Sequence, residues 1–138
     1  FWARRMAHDT AIHRLDAEHA RVGRADPASV PTLLFDPAFA ADGIDELLCL
    51  LVPIPHPAKN ELTAEGTILF HAADAGQAWE LRLVPGQAPT CGAAEGSGTN
   101  ADATVAGTAD AVFRAAWKRP SGALVSGNAE LLTAVPTP

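Results

Sequence analysis

The hydrophobic pattern of this chain changes its period once, and this change restricts the folds that the chain can adopt. Residues 2–22 have the 3.6-residue period of a helix that is apolar on part of its surface. From Gly66 onward the period is two, and residues 67–71 and 78–83 alternate as strands do. The sequence therefore predicts an α+β fold, in which one long helix precedes a mostly antiparallel sheet covered by helices.

The first predicted helix has two apolar flanks. Residues 2–22 contain good helix formers and neither Pro nor Gly, and Gly23 follows at the position of a left-handed C-cap. One flank carries Ile12, Leu15, His19 and Val22. The neighbouring flank carries Trp2, Met6, Asp9 and His13. We expect both flanks to pack against other helices or strands.

Prolines and capping residues divide the rest of the chain. Residues 24–36 predict a linker, and Asp36 is the expected N-cap of a second helix that runs from Pro37 to about residue 52. The strands at 67–71 and 78–83 are expected to pair antiparallel about a turn at residues 73–77. The remaining predicted elements are a loop or irregular edge strand at 85–100, a strand at 103–107, a helix at 108–118 capped by Thr108, a strand at 122–126 and a helix at 129–135.

Charge and apolar run length exclude two classes of partner. The 138 residues are enough for one compact domain, and their formal net charge is −6. The ten basic residues are scattered, so no positive stripe exists for nucleic acid. The longest apolar run, at residues 47–54, is far shorter than the roughly 20 residues of a membrane span. We therefore expect no nucleic-acid partner and no membrane partner.

The two cysteines and the first residues bear on the compartment. Cys49 lies in the apolar second helix and Cys91 in a segment rich in Pro and Gly, without CxxC spacing. This pattern predicts two free thiols, with Cys49 in the core, in a reducing compartment such as the cytoplasm. The chain begins with Phe1 and a charged amphipathic segment rather than a signal peptide, and we expect it to be a piece of a longer protein.

Asp9 and His13 are the most distinctive candidates for chemistry. Residues four apart on a helix lie one above the other, so this carboxylate and this imidazole could bind one divalent ion. His8 and His19 point in other directions and do not complete the ligand set. Two alternatives stay open, because Asp9 and His13 could simply stabilise the helix, or Asp9 could pair with Arg5.

Three segments resemble the mycothiol-dependent maleylpyruvate isomerase family, which is of actinobacterial type. WARRMAHDTAIHR at residues 2–14 is similar to the last helix of the DinB-like metal-binding bundle of these enzymes. DPAFAADGIDELL at 36–48 is similar to the linker and first helix of their C-terminal domain. ADATVAG at 101–107, followed by WKR at 117–119, also resembles that domain. The resemblance implies a bundle helix at 1–23, a linker at 24–36 and a sterol-carrier-protein-like α+β domain at 37–138.

The resemblance also implies a metal and a thiol. In this family a zinc ion, or another divalent metal, holds a water molecule or the thiol of mycothiol. The Glu-x-x-x-His pair of the last bundle helix falls on Asp9 and His13, and an earlier helix supplies another His. Asp at position 9 shortens one ligand arm by a methylene, and the earlier helices are absent from this sequence. We therefore expect only weak metal binding by this chain alone.

Two functions of different classes follow. The first is a C-terminal fragment of a zinc-dependent, mycothiol-dependent isomerase or thiol-transferase-like enzyme that acts on a small molecule and is inactive as a fragment. In this case the resemblance implies that Arg119 contacts a substrate carboxylate, although Lys118 and Arg119 could instead complement the negative end of the preceding helix. The alternative is a non-catalytic module that binds an apolar ligand or a partner. In either case we expect the exposed first helix to dock onto another copy of the chain, as a homodimer, or to fray.

Overall fold

The chain begins with one long helix that packs on one of its two apolar flanks. The computed structural model describes residues 1–23, 34–54, 62–94 and 100–137. Helix α1 covers Trp2–Val22 and ends at Gly23, whose φ of 68° is left-handed, as the sequence predicts. Leu15 is fully buried and Ile12 is 3% exposed, whereas Trp2 is 73% exposed and Met6 55%. The second apolar flank therefore has no packing partner among the described residues.

The second helix starts as predicted and ends differently. Helix α2 covers Pro37–Asp45, and the Asp36 carboxylate accepts hydrogen bonds from the backbone N–H groups of Ala38 and Phe39. A π-helical turn, Glu46–Leu51, continues it, so the predicted single α-helix to residue 52 changes its winding halfway. Most of the predicted linker, at residues 24–33, lies outside the described residues, as do two of the prolines expected to end this helix.

A five-stranded sheet forms the centre of the α+β unit. Its strands are β1 (Gly66–Ala72), β2 (Gln77–Leu83), β3 (Thr90–Ala93), β4 (Ala103–Gly107) and β5 (Leu124–Gly127). The order is β3-β2-β1-β4-β5, and only the β1–β4 pair is parallel. The predicted antiparallel pairing of β1 with β2 is confirmed, with Phe70 opposite Trp79. The irregular segment expected at 85–100 includes the short edge strand β3.

Helices cover one face of this sheet. Helix α3 covers Ala109–Ala116 with Thr108 as its N-cap, and helix α4 covers Glu130–Ala134. Alternate residues of the strands, such as Ile68 and Phe70, are fully buried on the covered face. The expected α+β class, with a mostly antiparallel sheet, helices and one long N-terminal helix, is therefore confirmed.

Helices α2 and α3 approach closely where the chain has a glycine. A methyl group built on Gly43 would lie 2.5 Å from Cε2 of Phe113, a ring that is fully buried. A salt bridge of 2.9 Å between Asp110 and Arg114 is also buried in this region. Asp110 accepts a hydrogen bond from the backbone N–H of Phe35, so α3 holds the segment that leads into α2.

The prediction of two free thiols is wrong. Cys49, in the π turn, and Cys91, in β3, form a disulfide with their Cα atoms 4.9 Å apart. The two cysteines are 42 residues apart in sequence. Their contact arises because β3 lies at the edge of the sheet beside the π turn, and spacing rules along the chain do not detect such a tertiary contact. Cys49 is half-buried rather than a core residue.

Across the described ranges, no helix combines the length and the apolar character that are needed to span a membrane.

Candidate functional site

Asp9 and His13 lie on the partly exposed surface of α1. The side chain of His13 is 69% exposed and that of Asp9 36%, and His13 Nε2 lies 3.5 Å from Asp9 Oδ2. Asp9 Oδ1 also accepts a hydrogen bond of 2.8 Å from Arg5 Nη2. The Asp9–His13 contact and the Asp9–Arg5 pair, which the sequence left as alternatives, are therefore both present in one structure.

Asp16 joins this pair to Arg119. His13 Nδ1 lies 3.7 Å from Asp16 Oδ2. Arg119 donates from Nε and Nη2 to the two oxygens of Asp16, each at 2.9 Å. This bidentate contact holds the pKa of Asp16 below its usual value and raises the pKa of Arg119. Asp9, His13, Asp16 and Arg119 thus form one row, which we call the α1 row.

The geometry of Asp9 and His13 suits two ligands of one ion. Two ligands of a tetrahedral zinc ion, each about 2.1 Å from the metal, lie roughly 3.4 Å apart. The observed 3.5 Å between His13 Nε2 and Asp9 Oδ2 is close to this value. Within the part of the chain that the structure describes, no group of three His, Cys, Asp or Glu side chains is arranged to hold a metal. The distance between Asp9 and His13 is therefore compatible with two donors to one ion, and the described residues offer no third donor arranged to join them.

His8 and Glu46 form a buried pair that the sequence does not predict. His8 is 1% exposed, and its Nδ1 forms a hydrogen bond of 2.7 Å with Oε2 of Glu46, which is fully buried. On the other side of the ring, His8 Nε2 lies 3.1 Å from Oδ2 of Asp42. The rings of Phe39 and Phe113 contact His8 edge to face. One signal in the sequence could have indicated this pair. Asp42 and Glu46 are four residues apart on the predicted second helix, so both carboxylates lie on one side of it, among apolar residues.

Further polar contacts fix how α1 is rotated on α2. Arg4 donates to the carboxylates of Asp42 and Asp45, at 2.9 and 3.1 Å. The indole N–H of Trp79, on β2, donates to the other oxygen of Asp45. Together with the His8–Glu46 bond, these contacts keep one side of α1 on the domain. They leave Asp9 and His13 on the side where a ligand can reach them.

A cavity of about 350 Å³ lies at the other end of the α1 row. Its walls are mostly apolar and come from the end of α3, from β5 and from α4; they are Ala115, Lys118, Arg119, Ser121, Ala123, Val125, Leu132 and Thr133. Lys118 Nζ donates to the backbone carbonyls of Thr133 and Val135, and burial lowers the pKa of this amine. Lys118, which follows α3, thus holds the end of α4 rather than complementing the end of α3.

Arg119 has contacts that fit both interpretations from the sequence. Its Nη1 donates to the backbone carbonyl of Trp117, at the end of α3, so Arg119 complements the negative end of this helix. The same side chain lines the cavity and pairs with Asp16, which lies beside His13. The structure therefore brings Arg119 to Asp16, which lies beside His13, although His13 and Arg119 are 106 positions apart in the sequence.

Comparison with known proteins agrees with this architecture. A comparison with curated proteins gives no match. A family model described as the MDMPI C-terminal domain matches residues 38–134, well over half of the chain. The match covers α2, the whole sheet, α3 and α4. The chain therefore belongs to the family of the C-terminal domain of mycothiol-dependent maleylpyruvate isomerases.

Proposed function

We propose that this domain serves a mycothiol-dependent isomerase or thiol-transferase-like enzyme. In this proposal Asp9 and His13 supply two ligands to a divalent metal, zinc in the first instance, and Arg119 contacts a carboxylate of a small-molecule substrate. The observation that carries the proposal is the α1 row, in which Asp16 contacts both His13 and Arg119. Membership of the family of this C-terminal domain, which residues 38–134 match, supports the reaction class. The bound metal would activate a water molecule or the mycothiol sulfur.

Arg119 keeps hydrogen-bonding capacity for such a substrate. A guanidinium carries five N–H groups. Three of them donate to Asp16 and to the carbonyl of Trp117, so two remain. Asp16 fixes the plane of the guanidinium through two parallel hydrogen bonds, which lowers the entropy cost of binding a carboxylate. Asp16 is therefore a positioning residue for Arg119 in this proposal.

The exposed flank of α1 is where we place the remaining metal ligands. Trp2 and Met6 lie on this flank near Asp9, and both are more than half exposed. Exposed aromatic and sulfur-containing side chains that lie together are typical of a protein–protein or domain–domain contact. We propose that the metal-binding helical bundle of the family packs here. A second copy of this chain is the alternative occupant, as in the homodimer expected from the sequence.

A second candidate function is the binding of an apolar ligand without chemistry. It is favoured by the cavity of about 350 Å³, whose apolar walls include Ala123, Val125 and Leu132. A cavity of this size could accept a small acid, with its apolar part against these walls and its carboxylate towards Arg119. In that case ligand binding would depend on Leu132 and Arg119 and would be independent of Asp9 and His13.

Metal titration separates the two candidates. Zinc is titrated into the chain in competition with a coloured chelator, for the native sequence and for the variants Asp9→Ala and His13→Ala. Thr10→Ala, at an exposed position of the same helix, is the control. We expect weak binding that both ligand variants lose and the control keeps. Binding that is equal in all four proteins, or absent from the native sequence, would show that Asp9 and His13 do not bind zinc in this chain and would favour the apolar-ligand function.

A further inference from the structure

The disulfide between Cys49 and Cys91 joins two elements that differ in how firmly they are held. Cys49 belongs to the π turn, in which Leu47 and Leu48 are fully buried. Cys91 belongs to β3, a strand of four residues of which three are exposed. We propose that this disulfide is a site of thiol–disulfide exchange, where a small thiol adds to Cys91 and releases Cys49. This inference goes beyond the proposed function and does not depend on it.

Strand β3 has few other attachments to the domain. Among the described strands it pairs only with β2, in the register of Leu81 with Cys91 and Trp79 with Ala93. Short edge strands with exposed side chains open more readily than central strands. The disulfide is a covalent anchor from this edge to the helical layer, so its opening would loosen β3 before any other strand.

Access favours attack at Cys91. Neither cysteine is fully buried, so the disulfide can meet a thiol from solution. The chain on both sides of Cys91 is exposed, at Thr90 and Gly92. Cys49 instead follows the fully buried Leu48 within a helical turn. A thiolate must approach along the line of the S–S bond, and the exposed edge strand can move aside to allow this more easily than the packed turn.

The exchange has a balanced chemistry. The thiolate of the small thiol attacks Sγ of Cys91, the S–S bond to Cys49 breaks, and the Cys49 thiolate leaves and takes a proton from water. A second molecule of thiol then attacks the sulfur of the first in the mixed disulfide and releases Cys91. In total, two small thiols are oxidised to their disulfide, and the protein disulfide is reduced to two cysteines.

Opening this link has a structural consequence near α1. The π turn that carries Cys49 begins with Glu46, the partner of His8, and directly follows Asp45, the partner of Arg4 and Trp79. Trp79 also lies opposite Ala93 in β3. The disulfide therefore ties the sheet edge to the segment that holds α1. We expect that exchange loosens β3 first and then the Trp79–Asp45 contact.

The test follows the two sulfurs in the native chain with N-acetylcysteine as the thiol. The protein is exposed to increasing thiol, free thiols are trapped with iodoacetamide, and the unreduced digest is mapped by mass spectrometry. Without thiol we expect neither cysteine to be alkylated. At low thiol we expect the mixed disulfide on Cys91 and the alkyl group on Cys49. In parallel, hydrogen exchange of the β3 amides should rise by on the order of tenfold or more.

A variant without the disulfide serves as the control. In Cys49→Ser/Cys91→Ser the thiol should leave the exchange of the β3 amides unchanged, which separates opening of the disulfide from a general effect of the reagent. Alkylation of both cysteines without thiol would contradict the inference, because no disulfide would then exist. A thiol adduct found only on Cys49 would also contradict it. The same holds if the disulfide stays intact at thiol concentrations that reduce it in the unfolded chain. None of these readouts involves a metal or a substrate.

Discussion

His8 and Glu46 form a buried hydrogen bond of 2.7 Å where α1 meets the π turn. Glu46 is fully buried, and its other oxygen, Oε1, has no hydrogen-bond partner. A buried carboxylate with so few partners depends strongly on each of them, because desolvation disfavours an unpaired polar group. His8 is therefore one of the contacts that attach α1 to the domain, and it is the one whose loss would leave a buried carboxylate unpaired.

Removing His8 from this hydrogen bond should destabilise the fold. We expect His8→Ala to lower the free energy of unfolding by roughly 3 kcal/mol or more, because Glu46 would stay buried without a partner. The double variant His8→Phe/Glu46→Leu should be more stable than His8→Ala, since it leaves no unpaired polar group. Urea unfolding followed by circular dichroism measures both. A cost below about 1 kcal/mol for His8→Ala would show that the bond contributes little.

The two flanks of α1 should respond differently to substitution. Ile12→Ala removes buried apolar volume and should cost about 2–4 kcal/mol. Trp2→Ser changes an exposed side chain and should alter the free energy of unfolding by less than about 0.5 kcal/mol. The same denaturation measurement compares them. If Trp2→Ser were as destabilising as Ile12→Ala, the second flank would be packed, and a contact between copies of the chain would be the first explanation to examine.

The Asp16–Arg119 pair predicts a pH dependence of stability. Because Arg119 holds the pKa of Asp16 below its usual value of 3.8, the pair stabilises the fold above that pH. The stabilisation is lost as the pH falls through the lower pKa of the folded state. Both side chains are about a third exposed, so the contribution is at most about 1 kcal/mol. Arg119→Met should be less stable than the native chain at pH 7, and the difference should narrow below pH 3.8 and disappear below the lower pKa of the folded state.

Gly43 should not tolerate a methyl group. Alanine is the better helix former by about 1 kcal/mol, but its Cβ would lie 2.5 Å from the ring of Phe113. Overpacking of a core usually costs about 1–3 kcal/mol, so we expect Gly43→Ala to be destabilising in thermal unfolding. Phe113→Leu removes the ring atoms that the new methyl group would meet. In this background, Gly43→Ala should lower the unfolding temperature by less than it does in the native chain. A Gly43→Ala variant that unfolds at a higher temperature would contradict the observed packing of α2 on α3.

Much of the fold could be predicted because its signals are local. The carboxylate of Asp36 and the hydroxyl of Thr108 cap the helices that follow them, and Gly23 ends α1, as short-range rules predict. The alternation of residues 67–71 and 78–83 was sufficient to predict the antiparallel pairing of β1 with β2. Each of these features depends on residues a few positions apart, so it can be predicted from the sequence without knowledge of the tertiary structure.

Apart from the π turn, the features that the sequence did not predict depend on contacts between distant segments. The disulfide needs the edge strand to lie beside the π turn, and the His8–Glu46 bond needs α1 to lie on α2. The α1 row needs the end of α3 to meet the middle of α1. Asp9 and His13 were proposed as a pair from their spacing alone, and Arg119 from a family resemblance. Neither argument could predict that Asp16 lies between them.

The most direct test of the proposed role of the α1 row is nitrogen-15 NMR of the histidine rings during a zinc titration. His13 is exposed and lies beside Asp9, whereas His8 is buried against Glu46, and His71 is exposed on β1 without a predicted role. We expect the Nε2 signal of His13 to shift with zinc and to stop shifting in Asp9→Ala, while the signals of His8 and His71 stay in place. Equal shifts of His13 and His71, or no shift of His13, would contradict a metal-binding role for Asp9 and His13.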